Sequence, residues 1–251
     1  MTRNPEVPVL IAAPGQRVIG FGDAAALHRG LLMMALLLVA AHGLTMLSRH
    51  ALGHDIVFGL VPLFDFYEEH NVPTYFSSLN LLLTAAMLFL TARLERLRKP
   101  ANVRAWQVLG LGFAFMSLDE FADVRMILSR MAQGLANGKL DVPFLSVAWT
   151  VPVALIVVVL AVYFLPFLMR LERSYLAHFA LAGACFVFAT IGLETFEGNH
   201  AAVTGGVRDL KFMLMVTLEE SMEIFSVLYF QYFLLRYVRQ HHPHLCLRIG
   251  R

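Results

Sequence analysis

The chain has 251 residues, of which 58% are hydrophobic and 15% charged. A soluble protein carries roughly 45–50% apolar and about 25% charged residues, so this composition excludes an ordinary water-soluble globule and points to one membrane-embedded bundle. The net charge of +2, with no basic stripe, excludes a nucleic-acid face, and two cysteines, Cys185 in mid-helix and Cys246 in the tail, are not placed to pair, which excludes a disulfide framework.

Six apolar runs approach the roughly 20 residues that one crossing needs. They predict an all-α polytopic transmembrane helix bundle of about six spans, near residues 31–48, 74–93, 105–124, 146–169, 176–198 and 212–236. Residues 1–30 read as a cytoplasmic or interfacial arm that includes VPVLIAA, residues 31–238 as the bundle, and residues 239–251 as a basic cytoplasmic tail. The loop RLERLRKPANVR holds Arg93, Arg96, Arg98, Lys99 and Arg104, and basic loops stay cytoplasmic. Alternation from there puts both termini inside, with 14 of the 20 Lys and Arg on that side. The acids run the other way: 14 of 18 Asp and Glu fall on the outer side, which calls for a cause of its own.

In chain order, His42 in the first span reads as a satisfied bundle histidine. Asp65, Glu68, Glu69 and His70 precede the second span, which Asn71-Val72-Pro73 opens. Proline suits a helix start because the N–H it lacks has no intrahelical partner there. Trp106 and Trp149 read as interfacial anchors, and Gly110 and Gly112 as points of close helix approach. The third span ends in FMSLDEFADVRM, with Asp119, Glu120 and Asp123 on one arc. The fifth ends in ETFEGNH, with Glu194, Glu197 and His200. The sixth contains TLEESME, with Glu219, Glu220 and Glu223. A rise of about 1.5 Å per residue puts these acids at one outer depth. Thr217 and Glu220 have capping-box spacing, but the apolar KFMLMV before them predicts an earlier helix start. The tail motif RQHHPH reads as solvated.

An ionised side chain costs about 2.5–3.5 kcal/mol at the bilayer centre, so a cluster of them needs protons, cations, water or salt bridges. Clustered carboxylates with a histidine are the ligands of oxygen-preferring metals. Di-metal helix bundles use Glu-x-x-His units, and Glu197-x-x-His200 is one. The expected metal ligands are Glu120, Glu194, Glu197, His200, Glu220 and Glu223, with Asp119, Asp123, Glu219, Glu69 and His70 as supporting or additional ligands. The residue types do not distinguish Fe, Mn, Zn or Ca.

The blocks NVPTYFSSLNLLL and FMSLDEF, with a later EES, resemble an uncharacterised family of bacterial multipass membrane proteins. That resemblance implies a polytopic fold and no activity. EEHN and LDE also echo the alkaline ceramidase-like hydrolases, but the His-rich zinc site that those enzymes carry in a later span is replaced here by Glu219, Glu220 and Glu223. The leading expectation is a metal-dependent inner-membrane enzyme acting on a lipid or other apolar substrate. The alternatives are an accessory subunit of a larger membrane complex and a proton- or cation-coupled transporter. The expected partners are membrane lipid and other membrane proteins, with no nucleic acid.

Overall fold

The computed structural model describes residues 17–124, 150–243, 245 and 247–249. Trp149, the VPVLIAA segment and His244 lie outside these residues. A short antiparallel pairing joins β1 (Arg17–Ile19) to β2 (Leu247–Ile249), with Arg17 opposite Ile249. The rest is helical: α1 (Phe21–Leu52), α2 (Leu60–Phe64), α3 (Val72–Arg98), α4 (Val103–Ala122), α5 (Thr150–Arg170), α6 (Arg173–Val187), α7 (Glu194–Thr204) and α8 (Leu210–His241). A π-helical stretch, Phe188–Leu193, joins α6 to α7 in one rod.

Local chemistry sets the helix starts. The Asn71 side chain accepts the Thr74 N–H at 3.2 Å and Pro73 sits in the first turn, so α3 opens where the sequence predicts. Asp209 caps α8 in the same way, accepting the Phe212 N–H at 2.8 Å. Thr217 therefore lies inside α8 rather than at its start. Helix α1 begins at Phe21, well before the span expected from residue 31. Asp23 accepts the Gly20 N–H at 2.9 Å, and three alanines then carry the helix into the apolar run.

Helices α3 and α4 form the tightest hairpin. Ser78 and Ser117 lock it by exchanging hydrogen bonds, each hydroxyl donating to the other residue's carbonyl at 2.8 Å. Gly110 is a close-approach point: a Cβ there would stand 3.0 Å from the Phe89 ring, whereas Gly112 has open space around it. Helix α8 runs through the middle and packs on α1, α3, α6 and α7. Gln231 on α8 is buried and donates to the Asn80 carbonyl at 3.1 Å, Asn80 Oδ1 at 2.8 Å and Thr84 Oγ1 at 2.8 Å. Such interhelical bonds hold where lipid tails give no hydrophobic drive.

Trp106 is not an interfacial anchor. It is fully buried against Phe167, Phe179 and Tyr237, because the first turn of α4 faces α5, α6 and α8. The tail histidines also differ from a solvated reading. His241 Nε2 lies 2.9 Å from Glu172 Oε1, and His242 Nε2 lies 3.4 Å from the buried Glu95. Helix α8 runs on to His241, so both side chains meet the turns of neighbouring hairpins.

Four helical stretches among the described residues are long and apolar enough to cross a membrane: Phe21–Leu52, Val72–Arg96, Val153–Arg170 and Arg173–Thr204. Helices α4 and α8, with 20 and 32 residues, have the length, but the acids lower their mean hydropathy. Many large apolar side chains point outward, such as Leu37, Leu44, Val158 and Val162. Only 6% of the α5 apolar window is buried. A soluble protein rarely leaves so large a contiguous apolar surface bare.

Candidate functional site

The π-helical stretch Phe188–Leu193 leads directly into Glu194 and Glu197. A π turn holds one more residue than an α turn, so it re-aims every side chain that follows; such turns concentrate at functional sites. Here the π stretch itself packs on α8. Two hydroxyls bond back within this region, Thr190 Oγ1 to the Phe186 carbonyl at 3.0 Å and Thr195 Oγ1 to the Ile191 carbonyl at 2.5 Å. These bonds satisfy polar side chains in an otherwise apolar rod.

Beyond that turn, Glu197 meets Glu219 of α8, and the two carboxyls interact directly. Both are buried, at 8% and 7% exposure. Glu194 and Glu223 are electrostatic neighbours of Glu219, so four acids from two elements share this space. Glu197 Oε1 is buried and takes no N–H or hydroxyl donor among the described residues. Two carboxylates cannot bond directly without a positive charge between them, and a proton is the smallest that serves.

The other expected site residues are placed as follows. His200 bonds through Nε2 to Asp209 at 3.0 Å and 3.1 Å, tying the end of α7 to the start of α8. Asp209 lies outside the spans. The Phe212 N–H, then His200, hold its carboxyl below the ordinary value of 3.8. Glu220 is half-buried, next to Glu219. Asp119 and Glu120 are half-buried in the last turn of α4, whose main partner is α3. Asp123 has left that helix: it is the C-cap, with left-handed backbone at φ 52°, and does not continue the arc of Asp119 and Glu120. Glu69 and His70 lie in the exposed turn before α3. Among the described residues, no three His, Cys, Asp or Glu side chains gather closely enough to hold a metal ion.

A second polar cluster links α1, the turn before α3, and α8. His42 is fully buried and stacked on Phe66, with ring centroids 4.4 Å apart. Its Nδ1 accepts the Phe66 N–H at 3.1 Å, which leaves Nε2–H to donate to Thr217 Oγ1 at 2.9 Å. The Thr217 hydroxyl donates onward to the Met213 carbonyl at 2.6 Å. The histidine is thus the satisfied bundle residue that its position suggests. Beside it, the buried Asp65 takes an Arg49 N–H at 2.6 Å. Glu68 pairs with Arg208 at 3.1 Å, and that guanidinium stacks over Tyr67 at 4.0 Å. Asp65 and Glu68 are therefore neutralised by arginines, unlike the Glu197–Glu219 pair.

Fold and site together define an all-helical chain with four helices able to cross a membrane and a buried carboxylate pair where α7 meets α8. The chain belongs to the family described as Domain of unknown function (DUF8692), whose model matches residues 30–237. No curated protein and no solved structure matches the chain.

Proposed function

We propose that this is a six-span inner-membrane protein, both termini cytoplasmic, that exchanges protons for another cation at the Glu197–Glu219 pair on its outer side. That places it in the cation-coupled transporter class. The observation that carries this reading is the burial of two facing carboxyls, Glu197 of α7 and Glu219 of α8, with Glu194 and Glu223 beside them. A buried acid pair costs free energy unless a positive charge is held there, and intramembrane acids mark ion and proton pathways. The π turn supplies an element whose register can change as the occupant changes.

The metal-dependent enzyme reading shares the same carboxylates. It requires His200 to leave Asp209 and more ligands to converge, whereas the exchange reading uses the pair as it stands. The two separate experimentally. The full-length protein is placed in liposomes loaded with a pH-sensitive dye, and sodium, potassium, calcium or manganese salts are added outside. The wild type should change the internal pH with at least one of these cations, and Glu219→Gln should abolish the response. A silent wild type defeats the exchange reading. A stoichiometric metal in the purified protein, lost in Glu197→Gln, supports the enzyme.

A further inference from the structure

We propose that residues 56–64 form an anchor that seats in the headgroup–acyl boundary of the bilayer leaflet at the C-terminal end of α1. The segment reads IVFGLVPLF and links α1 to the turn before α3. Its apolar side chains point away from the protein: Phe58 is 101% exposed, Ile56 68%, Leu60 51% and Leu63 41%. Val61 is buried and the half-buried Phe64 packs against the core, which fixes the segment against the bundle.

The backbone is strained to achieve this. Val57, Phe58 and Gly59 have φ of 35°, 55° and 84° in succession. Left-handed backbone is unfavourable for a β-branched or aromatic residue. Such strain persists where something else favours the conformation. Here the turn's own hydrogen bonds hold it, with the Gly59 and Val61 N–H groups both donating to the Ile56 carbonyl at 2.9 Å and 3.3 Å, and this pose keeps the wholly exposed Phe58 ring turned outward.

Position identifies the occupant. The exposed face of α1 is already apolar at Leu44, Leu47 and Leu52, and α1 is one of the helices able to cross a membrane. The segment follows that face in the chain. Between Leu47 and the segment the chain carries a polar band around Leu52: exposed His50 and His54, and Arg49, which lies 3.6 Å from Asp55 and 2.6 Å from Asp65. A polar band with an apolar projection beside it is the profile of a segment lying in the interface. An aromatic ring there sits at the level where such rings concentrate. The inference needs α1 to span the bilayer but does not depend on cation exchange.

The test uses the full chain with Cys185→Ala and Cys246→Ala, carrying a nitroxide at Phe58→Cys or, separately, at His54→Cys, in nanodiscs of phosphatidylethanolamine and phosphatidylglycerol. Collision rates with oxygen, which partitions into lipid, and with a water-soluble nickel chelate are measured by power saturation. The oxygen-to-nickel ratio should be several-fold higher at 58 than at 54. Equal ratios would make the segment a water-exposed loop and overturn the proposal. Low collision with both reagents at 58 would mean that a protein partner covers it, and would overturn it equally. An Ile56→Cys label repeats the measurement if the Phe58 variant folds poorly.

Discussion

Glu197 and Glu219 are each other's partners, and a substitution at either one reports what binds them. Glu219→Gln keeps a donor for Glu197 without a second acid, so it should unfold in detergent within about 1 kcal/mol of the wild type. Glu219→Ala leaves Glu197 buried without that bond and should cost about 1–3 kcal/mol. Equal losses in both variants would mean that the carboxyl itself is required and that an amide donor of the same bulk cannot replace it. Asp209 gives a separate pH signature. Its folded-state carboxyl titrates below its ordinary value because the Phe212 N–H and His200 favour the charged form. Its contribution to stability is therefore full above the unfolded value of 3.8 and is lost as pH falls through the lower folded one. Glu172, lowered mainly by its hydrogen bond to His241, acts in the same direction. Asp209→Asn retains a helix cap but not the charge, so its melting temperature should fall less steeply below pH 4 than that of the wild type.

The π-helical stretch is the element that presents the acids. Removing one residue from it, by deleting Thr190, should convert the wide turn to an α turn and rotate the two halves of the rod by about 100° relative to one another. Glu194 and Glu197 could then not face α8 without displacing the α6 contacts. With cysteines at 197 and 219, a short bifunctional thiol reagent should cross-link the parent chain and fail in the deletion variant. Undiminished cross-linking would show that the turn does not orient the site. The sequence carries no plain sign of this turn. FATIGL is as apolar as its neighbours, and a run that continues smoothly through 176–198 reads as uninterrupted α-helix. The signal available was indirect: a threonine and a glycine just before the first acid and a second threonine just after it.

The helices themselves were legible, because long apolar runs, Asn71-Val72-Pro73 and the apolar KFMLMV before Thr217 are local signals. Long-range partners were not. Spacing put the acids at one depth, yet it could not show that Arg49 would take Asp65, that Arg208 would take Glu68, or that His200 would turn to Asp209. Each of those pairs depends on how turns far apart in sequence or in space fold back. Trp106 was misread for the same reason: a tryptophan near a span end looks like an anchor until α5, α6 and α8 close over it. Six crossings with both termini cytoplasmic make a whole-molecule prediction. Impermeant thiol reagents applied to intact cells should label single cysteines near residues 54 and 206, and should not label those near residues 99 and 172. Labelling at 99 would invert the proposed topology. The central claim is an exchangeable cation site at Glu197 and Glu219, and proton release tests it most directly. Purified protein in weak buffer is titrated with sodium, potassium, calcium and manganese salts while pH is recorded. The account predicts release of about one proton per chain with a binding cation, lost in Glu197→Gln and in Glu219→Gln. No release with any cation, or release unchanged in both variants, would contradict it.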